Sequence, residues 1–252
     1  MNVKKFKDIS AICLFLLLSK CLKLHAQSQA SQRNNLEINF THYVDTSVLL
    51  LDSGLYKNDF NQDFSITKFK YYIGNLTFTR INGEVFFIDD YFLIDEEKPN
   101  SKKLSLKNVT AGEYVSISFT IGVDSIDNCS GAQSGALDPI NGMFWTWNTG
   151  YIFMKLEGVS NFSSSPNAAL EYHIGGFKKT SNCIRNVLLP LNKPIFVTAQ
   201  NKEKIEIKTD VLEILKTPTA IDFSTLSSVT DFNNATIIAD NYSDIFSVLT
   251  SK

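Results

Sequence analysis

The stretch Leu36-Glu37-Ile38-Asn39-Phe40-Thr41-His42-Tyr43-Val44 sets the reading of the whole chain. Leu36, Ile38, Phe40, His42 and Val44 fall on one face of an extended segment, and the polar residues with Tyr43 fall on the other. A period of two marks a strand with one face in a core. The pattern of short apolar strands recurs at 70–80, 84–94, 103–107, 113–123, 144–157, 169–177, 184–190, 195–200 and 204–213. Asn82-Gly83 separates two of these runs, and both residues accept positive φ, so a tight hairpin is expected there. A turn is also expected at Ala111-Gly112. The segment 234–249 is expected to hold a short helix. Together these signals predict an all-β chain, an antiparallel β-sandwich of about nine or ten strands with a short C-terminal helix. Residues 124–142 are rich in Gly, Ser, Asn and Asp and read as a long loop, a feature often tied to function in compact domains.

Composition agrees. The 252 residues are 44% hydrophobic and 12% aromatic, with nineteen Phe and nine Tyr, which favours strands and excludes disorder. No basic block follows residue 25, so a nucleic-acid binder is not expected. At the N-terminus, Lys4, Lys5 and Lys7 precede an apolar run over 9–18, and Leu24-His25-Ala26 offers a cleavage site. This is the layout of a secretory signal peptide, and the run is too short to anchor a chain in a bilayer. The expected organisation is a signal peptide at 1–26 and a single β-sandwich domain at 27–252, periplasmic or secreted. Loss of five lysines and one aspartate with that leader takes the formal charge from −2 to −6. A chain so charged is not drawn to anionic membranes.

The expected mature chain keeps only His42 and His173, and only Cys129 and Cys183. Two cysteines in an exported protein are expected to pair, here closing a long loop; a soft-metal pair is the rival reading. Two histidines cannot build a three-histidine zinc centre, and His-Glu-x-x-His and Gly-x-Ser-x-Gly sequences are absent. Enzymatic activity is therefore not expected. His42 sits on an apolar strand face, as a hydrogen-bonded core residue or a ligand. His173 falls out of phase with Leu170, Tyr172 and Ile174, and precedes Gly175-Gly176. Trp145 and Trp147, the two tryptophans, would share a face in a regular strand, as an aromatic cluster. Asp124, Asp127, Asn128, Asp138 and Asn141 offer oxygen ligands, but not at EF-hand spacing, and such residues also populate turns.

The run Tyr71-Tyr72-Ile73-Gly74-Asn75-Leu76 and the segment Phe119-Thr120-Ile121-Gly122-Val123-Asp124 resemble the MbnP family. So do Gly131 through Pro139, then Asn141-Gly142-Met143-Phe144-Trp145-Thr146-Trp147, Gly150-Tyr151 and Tyr172-His173-Ile174-Gly175-Gly176. The resemblance spans nearly the whole mature chain. It implies an exported β-sandwich that binds copper for capture, transfer or storage. In methanotroph relatives, histidines hold the metal together with kynurenine, made from a tryptophan by a di-haem enzyme of the MauG type. Carried over, the ligands would be His42, His173 and an oxidised Trp145 or Trp147, and an outer-membrane transporter would be a further partner. The alternative is a structural or adhesive module that uses the aromatic cluster and the 124–142 loop. A calcium-stabilised sandwich is a third.

Overall fold

In a computed structural model, the structure describes residues 35–145, 150–198 and 200–252. The expected signal peptide and Trp147 lie outside the described residues. Eleven strands of four or more residues occur among them: β1 (Asn35–Val44), β2 (Asp63–Arg80), β3 (Val85–Ile88), β4 (Phe92–Asp95), β5 (Lys103–Lys107) and β6 (Gly112–Ile121), followed by β7 (Met154–Val159), β8 (Ala169–Ile174), β9 (Arg185–Val197), β10 (Lys202–Asp210) and β11 (Phe246–Ser251). Two short helices are α1 (Ser125–Cys129) and α2 (Ala235–Tyr242). No helix among the described residues is long and apolar enough to cross a membrane.

The strands form two facing layers. One sheet runs β11–β10–β1, with β5 and Ser47–Val48 on the far edge of β1. In the other, the long β2 carries β3 and β4 on one edge and β6 and β7 on the opposite edge. Beyond these, β9 pairs with β6 and β8 with β7. The layers meet through aromatic side chains. The ring of Phe40 from β1 sits edge-to-face on Tyr71 of β2 at 6.4 Å and on Phe119 of β6 at 6.2 Å. Leu36, Ile38 and Phe40 are buried, as their alternation requires. Each such side chain contributes roughly 1.5–3 kcal/mol of burial.

Three departures from the sequence reading follow from the topology. β1 and β10 pair in parallel over nine residues, from Asn35↔Lys202 to Tyr43↔Asp210, so the sandwich is not wholly antiparallel. β2 begins at Asp63, seven residues before its expected start. Its pairing with β7 skips a residue, Glu157 facing Lys68 and Gly158 facing Ile66, so Thr67 is the extra residue of a bulge. That insertion shifts the phase between Ile66 and Phe69 and hides the strand from a period-two reading. The expected strand over 144–157 is broken: Phe144–Trp145 pairs with Gly150–Tyr151, and β7 starts only at Met154. Within 234–249, α2 ends at Tyr242 and the chain turns into β11.

The break has a geometric cause that positions the candidate site. The Tyr72 N–H donates to Phe153 O at 2.9 Å, and the Gly122 N–H donates to Tyr72 O at 3.1 Å. Both groups of one residue point to one edge, so β6 and β7 lie end to end along β2. The 30-residue connection between them, 123–152, leaves and re-enters the sheet at the same point. In the next column β8 and β9 also lie end to end, and residues 175–184 leave the sheet at the same level. Gly122 takes φ +116°, and a Cβ there would meet the Phe153 ring at 2.7 Å, so the exit needs glycine.

Candidate functional site

His42 projects from β1 into the core between the sheets and is buried. Its Nδ1 lies 2.6 Å from Glu96 Oε2, and its Nε2 lies 3.1 Å from the Tyr71 hydroxyl. Glu96 also accepts from Lys102 Nζ at 2.6 Å, and Tyr71 Oη is 3.2 Å from Thr209 Oγ1. Burial holds the His42 pKa below the ordinary histidine value, against the pull of Glu96. Burial pushes Glu96 up, but the hydrogen bonds from His42 and Lys102 outweigh it and leave the carboxyl below its usual range. The pair is therefore a neutral imidazole donating Nδ1–H to a carboxylate, with Nε2 accepting from Tyr71. Both ring nitrogens are used, and a metal would have to displace one of these bonds inside the core.

His173 sits on β8, directly across from Lys155 of β7, which faces Lys70 of β2. Phe69 and Tyr71, on either side of Lys70, are the residues whose rings contact His42. Because side chains alternate across a strand, Lys70, Lys155 and His173 share the outer face, and His42 packs on the inner one. The sheet lies between the two imidazoles. The structure therefore does not bring His42 and His173 together, and a copper centre held by both does not fit this fold.

The outer face around His173 is polar and partly exposed. His173 Nε2 lies 2.9 Å from Glu157 Oε1, while Glu157 Oε2 accepts from Lys68 Nζ at 2.8 Å. The hydrogen bond from His173 lowers Glu157 most, with burial opposing and Lys68 assisting, and the carboxyl comes down to about 2. Lys155 Nζ donates to Gly142 O at 2.7 Å, which ties the long connection to this row. Burial first, then the Lys68 and Lys70 charges, lower the Lys155 pKa despite Glu157.

Trp145 is buried and lies over Gly175, the first residue past β8 and two residues after His173 in the chain. A Cβ on Gly175 would meet the indole ring carbons at 2.7 and 2.9 Å. The indole therefore sits where the strand that carries His173 leaves the sheet. Tyr72 and Tyr151 fasten the connection, their rings edge-to-face at 6.0 Å. The Tyr72 hydroxyl donates to Ala136 O and the Tyr151 hydroxyl to Leu137 O.

The expected Cys129–Cys183 bridge is not formed; both thiols are free. Cys129 ends α1 on the solvent side. Cys183 is buried with its Sγ toward Ser181 O, and burial pushes its pKa up to about 12. The acidic residues of the loop serve local structure: Asp124 Oδ1 accepts from the N–H groups of Ile126 and Asp127, and Asp138 Oδ1 from that of Ile140. Among the described residues no three His, Cys, Asp or Glu side chains converge as a metal site. Glu96 and Glu157, the partners of the two histidines, were not singled out in the sequence. Glu96 reaches His42 across the two facing sheets and Glu157 reaches His173 from the neighbouring strand, and no local pattern marks either.

The class these features define is a two-layered β-sandwich with a long connection folded onto one outer face. The MbnP family profile matches residues 33–234, and the chain belongs to the MbnP family. Its fold is similar to that of MbnP from Methylosinus trichosporium, with a TM-score of 0.54 and 13% identity, covering 86% of this chain and 98% of that one. No curated protein sequence matches.

Proposed function

We propose that this chain is an exported copper-handling protein with no catalytic activity of its own, and that copper engages the outer face at His173 rather than the core at His42. The observation that carries this reading is the indole of Trp145 lying over Gly175, two residues after His173 in the chain. It joins two family segments, Gly142–Trp145 and Tyr172–Gly176, that are about thirty residues apart in the sequence. His173 fits a ligand's role: Glu157 holds one ring nitrogen and so orients the imidazole, and Nδ1 has no hydrogen-bond partner among the described residues. His42 does not fit. Imidazole suits copper, and an oxidised Trp145 or Trp147 would add the oxygen or amine donor that kynurenine carries. One imidazole with one such donor is a sparse set, suited to capture and transfer more than to storage. A di-haem tryptophan-oxidising enzyme and an outer-membrane transporter are the partners this role calls for, in the periplasm or outside the cell.

The test is the copper content of the protein isolated from its own host and after titration with copper, for the native chain, His173→Ala and His42→Ala. Copper should be lost with His173→Ala and kept by any folded His42→Ala protein. A native protein that is metal-free and refuses added copper would overturn the proposal. Intact mass and peptide mapping should place a kynurenine-sized gain on Trp145 or Trp147 only when the oxidase is co-expressed.

A second reading, a protein-interaction module, is favoured by the loop's exposed Ile126 and Ile140, which keep 76% and 88% of their surface in solvent. Ile126→Asp with Ile140→Asp should abolish partner capture on that reading and leave copper binding untouched.

A further inference from the structure

The two excursions from the sheet, 123–152 and 175–184, leave a cleft between them of about 350 Å³. That volume falls at the small end of the roughly 300–1,000 Å³ typical of ligand sites. Its walls are aromatic. Trp145 and Phe232 meet edge-to-face at 5.8 Å and 87°, and Tyr151 and Phe177 add two more rings. Glycine keeps the floor open. Gly176 takes φ +124°, and a Cβ there would first meet the Ser181 carbonyl oxygen and then the Phe232 ring at 3.2 Å. Flat rings in such walls gain from edge-to-face and offset contacts beyond the area they bury.

The charge of the lining is as specific as its shape. Lys178 is the one formally charged side chain that lines the cleft, and no acid lines it. Lys178 has no salt bridge among the described residues. In a chain whose expected mature charge is −6, a pocket lined by one cation and no acid is set against the net field. Asn128, the buried amide of the lining, is already consumed: its Nδ2 donates to Asp124 O at 2.9 Å and its Oδ1 accepts from the Tyr151 N–H at 3.0 Å. Beyond the aromatic surface, the lining offers the Lys178 ammonium with the side chains of Ser181 and Cys129.

We propose that this cleft binds a small planar aromatic or heteroaromatic anion, its ring packed against the corner that Trp145 and Phe232 form and its acidic group toward Lys178. The site needs no metal, so it stands or falls separately from the copper reading.

The experiment is calorimetric titration of the chelator-treated mature chain with 2-naphthoate and with the neutral 2-naphthamide. Saturable one-to-one naphthoate binding is expected, with naphthamide about fivefold weaker, the scale of one exposed charge pair. Lys178→Ala, a change at an exposed side chain, should erase that difference. Phe232→Ala should weaken both ligands about tenfold. Circular dichroism and melting of each variant check that the fold is intact. Absence of saturable binding, naphthamide binding as well as naphthoate, or naphthoate binding indifferent to both substitutions would each overturn the proposal. Copper uptake measured on the same variants separates a failure here from a failure of the copper reading.

Discussion

Glu96 Oε2 lies 2.6 Å from Nδ1 of His42, and this contact ties the first strand of one sheet to the end of a strand in the other. Glu96 follows β4 directly, and its N–H donates to Phe69 O, the residue whose ring abuts the imidazole at 4.9 Å. Through Tyr71 and Thr209 the chain of hydrogen bonds reaches β10, and through Lys102 it reaches the surface. Its role in the molecule is to satisfy polar groups between two sheets.

Removing that imidazole should therefore cost stability and spare metal binding. His42→Ala strips Glu96 of a buried donor and leaves a void beside Phe69 and Tyr71. A loss of about 2–4 kcal/mol is expected, measured as a shift in urea midpoint. An unchanged midpoint would show that the network is not formed in solution.

The same burial sets a pH dependence. The folded pKa of His42 lies below the unfolded value near 6.5, so below that value the unfolded chain binds a proton that the native one refuses. This contribution to stability is full above pH 6.5 and declines as the pH falls toward the depressed native value. His42→Gln should flatten the slope of urea midpoint against pH in that window; an unaltered slope would assign it to other groups.

Glu157 governs a lower window. Its carboxyl moves from 4.5 to about 2 on folding, so its contribution is present above 4.5 and is lost as the pH falls toward 2. Glu157→Gln should make the native chain's acid melting curve shallower over that interval. It should also release the His173 ring, seen as altered imidazole resonances in NMR.

The thiols should differ in reactivity. In protein produced from Gln27 onward, Cys129 should react within seconds with a thiol reagent, and Cys183 only on unfolding, because its thiol is buried and its pKa raised. Mass analysis showing no free thiol in exported protein would mean that a bridge forms after all.

Gly175→Ala tests the seat of Trp145. The added methyl meets the indole and Tyr151 O, and a loss of about 1–3 kcal/mol is expected. Trp145 should be displaced toward water, with a red-shifted emission; an unshifted spectrum would mean that the indole does not rest there.

Several of these relationships could be read from the chain before folding, and others could not. The alternation over 36–44 gave the buried face of β1 residue by residue, His42 included, and Asn82-Gly83 marked the turn between β2 and β3. The early part of β2 was hidden because the bulge at Thr67 resets the phase, and local periodicity carries no signal of a partner that forces a bulge. Residues 144–157 read as one strand because their apolar content suits a sheet. In the fold they form a two-residue ladder and then rejoin β2.

What the sequence determined by itself was the class of structure, two faces of alternating side chains with polar turns, because strand period and turn chemistry are local properties. It also exposed the family's segments and reduced the expected mature chain to two histidines. Only tertiary structure decided that those histidines are separated by a sheet. The facing residues Lys70 of β2 and Lys155 of β7 come from distant points of the chain, and one step in register sends a side chain to the opposite surface. The cleft beside Trp145 is likewise a product of two interruptions at the same level in neighbouring columns, a coincidence of register that no single segment encodes.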